Sequence, residues 1–465
     1  MPQLRDPATK RTFMLTTPIP RLVPKMALPS IAGMLVTSAY NLADTLFVSQ
    51  LGTNATGAVG VNGSIDLIIM MAGSLLSVGA ASLTARLLGA KQERRAREVL
   101  STCFIIAFAL GCVVLAAGFA FQDEILILLG ANEDILPYSE QYCRYVLLAA
   151  PFMATNFVLN QCLRAEGSAV FSMIGMMTGA VLNIGLDPLF IFTFGWGVAG
   201  ASAATAISKI VSWCILMTPY LRKKTMLTIR LRQFRPRWAD AKEVCAMGSA
   251  SFFRAGLGTL AGILLNRIAV TYGTSALAAI NVSNRITMFM TSAGLGFGQG
   301  FQPVAGFSWG AERYDRVHES FRFSLAAWVA GISVVSLAVG VFAEPILLLF
   351  TESDAELVRI GVFSLRTQCL AMPFHGFCII VNMLCSGIGR ALPSLLLGIS
   401  RQGLCFFPIL PVMVRLWGVH GIAAVQGVAD ILALVLAVPI AVRISRDIRR
   451  REAEQSAVPG VSAVI

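Results

Sequence analysis

Charged side chains are scarce: they make up 13% of the 465 residues, where a soluble globular chain carries roughly 25%. Such a chain has too little polar surface to face water on all sides. Histidine occurs only three times. The ten cysteines (Cys103, Cys112, Cys143, Cys162, Cys214, Cys245, Cys369, Cys378, Cys385 and Cys405) stand singly, almost all in apolar stretches, without one CxxC pair. That argues against zinc ligation and a disulfide framework, and leaves cysteine as a small packing residue. No HExxH, nucleophile–base or Walker motif occurs, so a membrane-embedded enzyme has no motif to support it and ATP drive has no nucleotide-binding sequence. The run Gly294, Gly296, Gly298, Gly300 follows no strand, and reads as close helix packing rather than a nucleotide loop. Residues 1–25 are polar and basic, and the first apolar run is too long for a signal-peptide h-region.

What the chain has instead is apolar length: 56% of its residues are hydrophobic. Stretches of about 20 such residues are read as membrane spans. Twelve are predicted, near 26–50, 54–83, 98–121, 136–160, 169–194, 197–221, 244–271, 275–305, 321–343, 357–385, 391–415 and 418–443. The expected class is an all-α polytopic membrane protein. The net charge of +12 does not point to nucleic acid, because the basic residues sit in short loops that set topology. Arg5, Lys10, Arg11, Arg21 and Lys25 precede the first span, and Arg86, Lys91, Arg94, Arg95 and Arg97 follow the second. Arg222, Lys223, Lys224, Arg230, Arg232, Arg235, Arg237 and Lys242 fall between the sixth and seventh spans, and Arg443, Arg446, Arg449, Arg450 and Arg451 follow the twelfth. Loops of opposite parity carry Asp123, Glu124, Glu133 and Asp134, or Glu344, Glu352 and Asp354. The positive-inside rule then predicts both termini in the cytoplasm and a multi-pass protein of the plasma membrane.

The chain also repeats itself. Gly52-Thr53, Ala55 and Ala58 recur as Gly273-Thr274, Ala276 and Ala279, a shift of 221 residues. Gly73, Gly79 and Gly89-Ala90 recur as Gly294, Gly300 and Gly310-Ala311, and Trp196-Gly197-Val198 as Trp417-Gly418-Val419. Pro151-Phe152 returns as Pro373-Phe374, with the shift drifting by one. Six spans separate the copies, so both enter the membrane from the same side as parallel repeats with a cavity expected between them. The predicted organisation is an N-lobe at 1–221, a cytoplasmic linker at 222–243, a C-lobe at 244–443 and a cytoplasmic tail at 444–465.

Acidic side chains within spans are costly and mark sites or pairs. Asp44 lies eight residues before Gly52, Asp187 eight before Gly195, and Thr205 eight after Gly197. Each is therefore about 12 Å below the same surface. Asn183 is one turn deeper than Asp187 on the same face. Two carboxylates, a carboxamide and a hydroxyl at one depth suit a cation such as Na⁺, or a shared proton. Pro188 removes a backbone hydrogen bond beside Asp187 and is a candidate hinge. Asp66 lies near the depth of Lys209, and Asp430 near that of Arg285, and a buried ion pair is the default reading of each. Met70, Met71, Met173, Met176, Met177, Met288 and Met290 suit either an adaptable cavity or ordinary core and lipid-facing packing.

At this point the motifs converge on a known family. Tyr40-Asn41-Leu42-Ala43-Asp44-Thr45, Asn183-Ile184-Gly185-Leu186-Asp187-Pro188-Leu189 and Arg164-Ala165-Glu166-Gly167 resemble those of the MATE (multidrug and toxic compound extrusion) transporters. Asn284-Arg285, Gln299-Gly300, Gln302-Pro303, Gly310-Ala311 and Tyr314-Asp315-Arg316-Val317 resemble the MepA-like bacterial branch. The resemblance spans nearly the whole chain. It implies twelve helices in two six-helix bundles, V-shaped, exporting cationic or amphiphilic drugs by alternating-access antiport with H⁺ or Na⁺ and needing no other cofactor. The family's coupling residues map onto Asp44, Asn183, Asp187 and Thr205, and Asn160 falls on a family cavity position. The first span is expected to bend at Pro29 or nearby, and Asn41, Asp66, Gln299 and Gln302 are further candidates to line the substrate cavity. Expected partners are small-molecule drugs and membrane lipids, with the protein acting as a monomer. Some branches carry acids in spans seven and ten for Na⁺. Here those spans hold Arg254, Arg267, Arg366 and His375 and no Asp or Glu, which places coupling in the first lobe. The nearest alternative is a lipid-linked saccharide flippase of the same superfamily, whose anionic substrate would use Arg254, Arg285 and Arg366.

Overall fold

The structure, a computed structural model, describes residues 7–350 and 354–456. Arg5, Glu352 and the end of the expected tail lie outside the described residues. Within them the chain is helical and no strand forms. Helix α1 (Pro7–Thr16) leads into α2 (Ile19–Ser49), α3 (Thr53–Gly89), α4 (Glu93–Ala120), the short α5 (Gln122–Leu128) and α6 (Leu136–Ala165). Helix α7 (Ala169–Pro188) continues as a π-helical turn (Leu189–Thr193), and α8 (Gly197–Leu221) completes the first repeat. The second runs through α9 (Trp238–Val270), α10 (Thr274–Gly310), α11 (Tyr314–Val341), α12 (Ala343–Leu348) and α13 (Ala355–Gly387). It ends with α14 (Ala391–Ile399), a π-helical turn (Ser400–Cys405) and α15 (Phe406–Ser456).

Among the described residues ten helices are long and apolar enough to cross a membrane, and two observations bring the spans to twelve. Helix α15 is broken at Gly418, whose φ of 55° and ψ of −126° are not helical, so 391–417 and 419–456 are separate spans. Helix α10 matches α3 at 37 residues, but Asn281, Asn284, Arg285, Gln299 and Gln302 dilute its apolar character. Helices α2, α4, α9 and α11 start one to two turns before the predicted apolar stretches, because their basic turns continue the helix into water. Helix α9 thus begins at Trp238, inside the expected 222–243 linker. The rest of that linker is no loose tether: Met226 and Leu227 are buried, and their N–H groups donate to Glu166 at 2.9 and 3.4 Å.

The repeat is written into the backbone. Left-handed φ values recur in pairs: Gly52 at 103° with Gly273 at 109°, Lys91 at 61° with Glu312 at 59°, Gly167 with Gly389 at 83°, and Gly197 with Gly418 at 55°. The contacts between halves are reciprocal as well. A Cβ on Gly89 would lie 2.2 Å from the Phe307 carbonyl oxygen, and one on Gly310 would lie 1.9 Å from that of Arg86. Gly89 and Gly310 are repeat partners, and so are Arg86 and Phe307, which is how a two-fold-like axis behaves. Helix α2 packs on α10, and α9 on α3. A Cβ on Gly300 would meet Ala27 Cα at 2.4 Å, and one on Gly248 would meet the Leu75 carbonyl oxygen at 1.8 Å. Small residues here let backbones touch, as helix pairs in lipid require.

Polar ties between the halves gather toward the end that carries α1 and the basic loops, called here the basic end. Arg86 pairs with Glu243 at 2.6 Å and Arg95 with Asp240. The Ser82 hydroxyl donates to the Ser386 carbonyl. Deeper in the membrane, the Ser38 and Ser292 hydroxyls bond at 2.8 Å.

Candidate functional site

Helices α2, α7 and α8 bring the four equal-depth residues of the first repeat together. Asn183 Nδ2 donates to Asp187 Oδ1 at 3.1 Å and to Thr205 Oγ1 at 3.2 Å. The Asp44 and Asp187 carboxyls lie within hydrogen-bond reach of each other. Asp187 (0% exposed) and Asn183 (2%) are buried, whereas Asp44 and Thr205 are part-exposed and Asn41 is exposed. The cluster therefore has an open side at Asp44 and a closed side at Asp187. Asp44 Oδ1, Asn183 Oδ1 and Asp187 Oδ2 have no hydrogen-bond partner. These three orphan acceptors, two of them on the carboxyl groups themselves, form an acceptor-rich nest, and two carboxylates in contact attract only with a proton or cation between them.

Pro188 marks the point where α7 widens into the π-helical turn at Leu189–Thr193. Its missing N–H opens the ladder one residue after Asp187. Pro29 lies inside a continuous α2, beside Ser30 and Ile31, which face Gly296 of α10.

The expected Asp66–Lys209 pair is not a direct contact. Lys209 Nζ donates instead to the Tyr40 hydroxyl at 2.8 Å and sits 4.9 Å from that ring. The phenol comes from the face of α2 that also carries Asp44, one turn on, and the charges of Asp66 and Asp44 both act on the ammonium. Asp66 Oδ1 has no partner. The remaining cavity candidates are not brought to the acidic cluster. Asn160 Oδ1 accepts from Ser172 at 2.9 Å, and Ser172 accepts from Arg164 Nε at 2.8 Å. Gln302 Nε2 donates to the Ser386 hydroxyl at 2.9 Å, whereas Gln299 Oε1, in the same helix, has no partner.

Asp430 does not pair with Arg285, which is exposed. It takes Arg401 instead, with Nε–Oδ1 at 2.6 Å and Nη2–Oδ2 at 3.3 Å, and His375 Nδ1 at 3.4 Å. Arg401 Nη1 lies 3.2 Å from His375 Nε2. A guanidinium only donates, so Nε2 accepts, and the imidazole is neutral with its proton on Nδ1. Gln426, with its amide oxygen toward Arg401, accepts from Nε at 2.9 Å. The pairing with Arg401 was missed because that side chain projects from the π-helical turn Ser400–Cys405. An ideal helix does not aim it there. The usable signal was a lone arginine in one span and a lone aspartate in the next. Arg366 is also exposed, with Nε donating to the Gly340 carbonyl.

Glu166 was singled out only as part of a motif, and the structure gives it a task. Fully buried, it meets Lys10 Nζ at 3.5 Å while that ammonium also donates to Ser168 Oγ at 2.7 Å and to the Lys224 carbonyl at 3.2 Å. Burial pushes the Glu166 carboxyl up, while Lys10, Ser168 and the Met226 and Leu227 N–H groups pull it down. Helix α1, the α6–α7 turn and the linker are thereby tied together. The ten cysteines are free, and no metal-binding cluster of His, Cys, Asp and Glu occurs among the described residues.

The MatE family model matches residues 29–189 and 251–412, one copy in each repeat. The chain is similar to the multidrug export protein MepA of Staphylococcus aureus (strain MSSA476), 27% identical over 425 residues, covering 91% of this chain and 94% of that one. Among solved structures it is similar to the outward-facing conformation of a multidrug resistance MATE family transporter of the MOP superfamily. That match has a TM-score of 0.88 at 26% identity, covering 94% of this chain and 98% of the other. A MATE structure in complex with MaL6 is similar at a TM-score of 0.87 and 26% identity, with 96% and 98% covered.

Proposed function

The chain belongs to the MatE family, and from that premise we propose that it is a multidrug efflux antiporter, exporting cationic or amphiphilic compounds in exchange for H⁺ or Na⁺. It is a multi-pass membrane transporter with relatives named as export proteins. The reading places it in the plasma membrane with the basic end in the cytoplasm. It divides the chain into an N-lobe (1–221), a C-lobe (244–443) and a cytoplasmic linker and tail. The observation that carries the reading is the acceptor-rich nest of Asp44, Asn183 and Asp187 beside Thr205.

The polar ties at the basic end hold the two halves together there, and on this reading that end is the closed, cytoplasmic one. A proton or Na⁺ arriving from outside reaches part-exposed Asp44 first and is then shared with buried Asp187. It cancels the negative charge that an organic cation needs. By linkage, drug and coupling ion weaken each other's binding by the same factor. Pro188 and Pro29 are the points at which α7 and α2 can bend as that charge changes.

The test is drug efflux in everted vesicles under separately imposed pH and Na⁺ gradients. Asp187→Asn keeps the shape and removes the titratable group, and efflux is expected to fall to background at normal expression. Retained gradient-driven efflux would sink the assignment.

A further inference from the structure

Arg254 of α9 has a setting that the transport reading leaves unexplained. It lies at the midpoint of α9 (Trp238–Val270), about 24 Å along the axis from either end. Its guanidinium is part-buried and donates to Ser251 Oγ of its own helix at 3.0 Å. No acidic side chain pairs with it among the described residues. Its direction follows from its neighbours. A Cβ on Gly398 would lie 2.8 Å from the Ala250 carbonyl oxygen of α9, and one on Gly403 would lie 2.8 Å from Leu257 Cδ1. Positions 250, 254 and 257 share one helix face, so Arg254 faces the segment that carries Arg401. Both guanidiniums act electrostatically on the same imidazole, His375.

Arg401 is compensated there by Asp430. Arg254 has no such carboxylate, and the fold brings it toward a second cation at mid-membrane depth. A charge in that position needs water or a counter-anion. We propose that Arg254 anchors an anion-binding subsite of the second lobe, which takes the carboxylate of an amphiphilic exported compound. A planar guanidinium matches a planar carboxylate through two parallel hydrogen bonds. Ser251 fixes one edge of the guanidinium, and neutral His375 and the Arg401–Asp430 pair bring no net negative charge to compete with an anion there. A lipid phosphate is the poorer occupant, because headgroups lie at the membrane surfaces and Arg254 does not.

The inference rests on the export reading, and its experiment separates the two. A rhodamine with a free benzoate and its ethyl ester share a cationic ring system and differ in the carboxylate alone. Their affinities for purified full-length protein are measured by fluorescence anisotropy in nanodiscs of neutral lipid. In Arg254→Gln the acid-to-ester affinity ratio is expected to fall about tenfold, and in Arg254→Lys by less. The ratio is internal to each preparation, so partial misfolding does not mimic the effect. An unchanged ratio in Arg254→Gln overturns the subsite, as does a ratio that changes only when phosphatidylglycerol is added, which would assign Arg254 to lipid. Failure of wild-type protein to export the ester in proteoliposomes would instead overturn the transport reading.

Discussion

At one position of the repeat the two halves carry opposite charges: Lys209 in the first, Asp430 in the second. The surroundings are opposite too. Around Lys209 stand Tyr40, Asp66, Asp44 and, beyond them, Asp187, with acceptor oxygens left unpartnered on all three acids. Around Asp430 stand Arg401, His375 and Gln426: its Oδ2 accepts from Arg401, and its Oδ1, which has no hydrogen bond, still faces the Arg401 and His375 nitrogens at 2.6 and 3.4 Å. The same scaffold thus holds an unsatisfied acidic nest in one half and a nearly self-neutralised ion pair in the other. Unsatisfied buried acceptors cost stability and persist where something binds them, whereas a paired cluster is complete without a ligand. The contrast fits the proposal that ion coupling belongs to the first repeat, with the second half's pair serving to lock the structure.

The largest effect expected from this contrast is on stability. Asp430→Asn removes the carboxylate and leaves the Arg401 guanidinium buried without a counter-charge, at a cost of about 3–5 kcal/mol. Thermal unfolding in detergent should show a large downward shift. The double variant Arg401→Met with Asp430→Leu should recover most of it, because both charges go together. Asp187→Asn should behave in the opposite way, with little change in stability and no efflux. If Asp430→Asn kept its stability and lost only efflux, the two halves would not differ in kind.

How much of this could be read from sequence follows the same division. Asp44, Asn183, Asp187 and Thr205 were legible because each is polar in an apolar background, and a fixed rise per residue turns sequence distance into depth. The repeat was legible because glycines at close backbone contacts tolerate no replacement, so Gly89 and Gly310 mark the same crossing. Two kinds of feature were not legible. Arg401 projects from a π-helical turn, whose geometry the ideal 3.6-residue period does not contain, and Asp430 was therefore assigned to the wrong arginine. The Lys10–Glu166 tie joins residues far apart in sequence through an extended linker, and no periodicity reports on such a contact. Helix starts at Trp238 and Tyr314 were placed late because hydropathy ends where the membrane ends and the helix does not.

An intermediate effect tests the symmetry of the scaffold itself. Gly89→Ala and Gly310→Ala each force a methyl group toward a carbonyl oxygen of the facing helix, Phe307 in one case and Arg86 in the other. Each should cost about 1–3 kcal/mol through overpacking. The two costs should agree closely, since the contacts are copies. A variant harmless at one glycine and severe at the other would show that the axis relates the backbones but not their energetics.

The smallest effect bears on the balance between states rather than on the fold. Arg86 and Glu243, 17% and 33% exposed, pair across the two halves at the basic end. Part-exposed pairs are worth about 0.2–1 kcal/mol, too little to change unfolding measurably. Under the proposed alternating access the pair would exist only while the basic end is closed, so its whole free energy would fall on one side of the conformational equilibrium. Glu243→Gln should therefore raise the population with the opposite end closed by about 1.5- to 5-fold. Nitroxide labels at Thr53 and Thr274, exposed repeat partners at the starts of α3 and α10, would report this as growth of the shorter-distance component. High salt should produce the same redistribution in the unmutated pair by screening it and should add little to Glu243→Gln. A variant that shifts the distances but still responds fully to salt would mean that Arg95–Asp240, and not Arg86–Glu243, carries the electrostatic part of the lock.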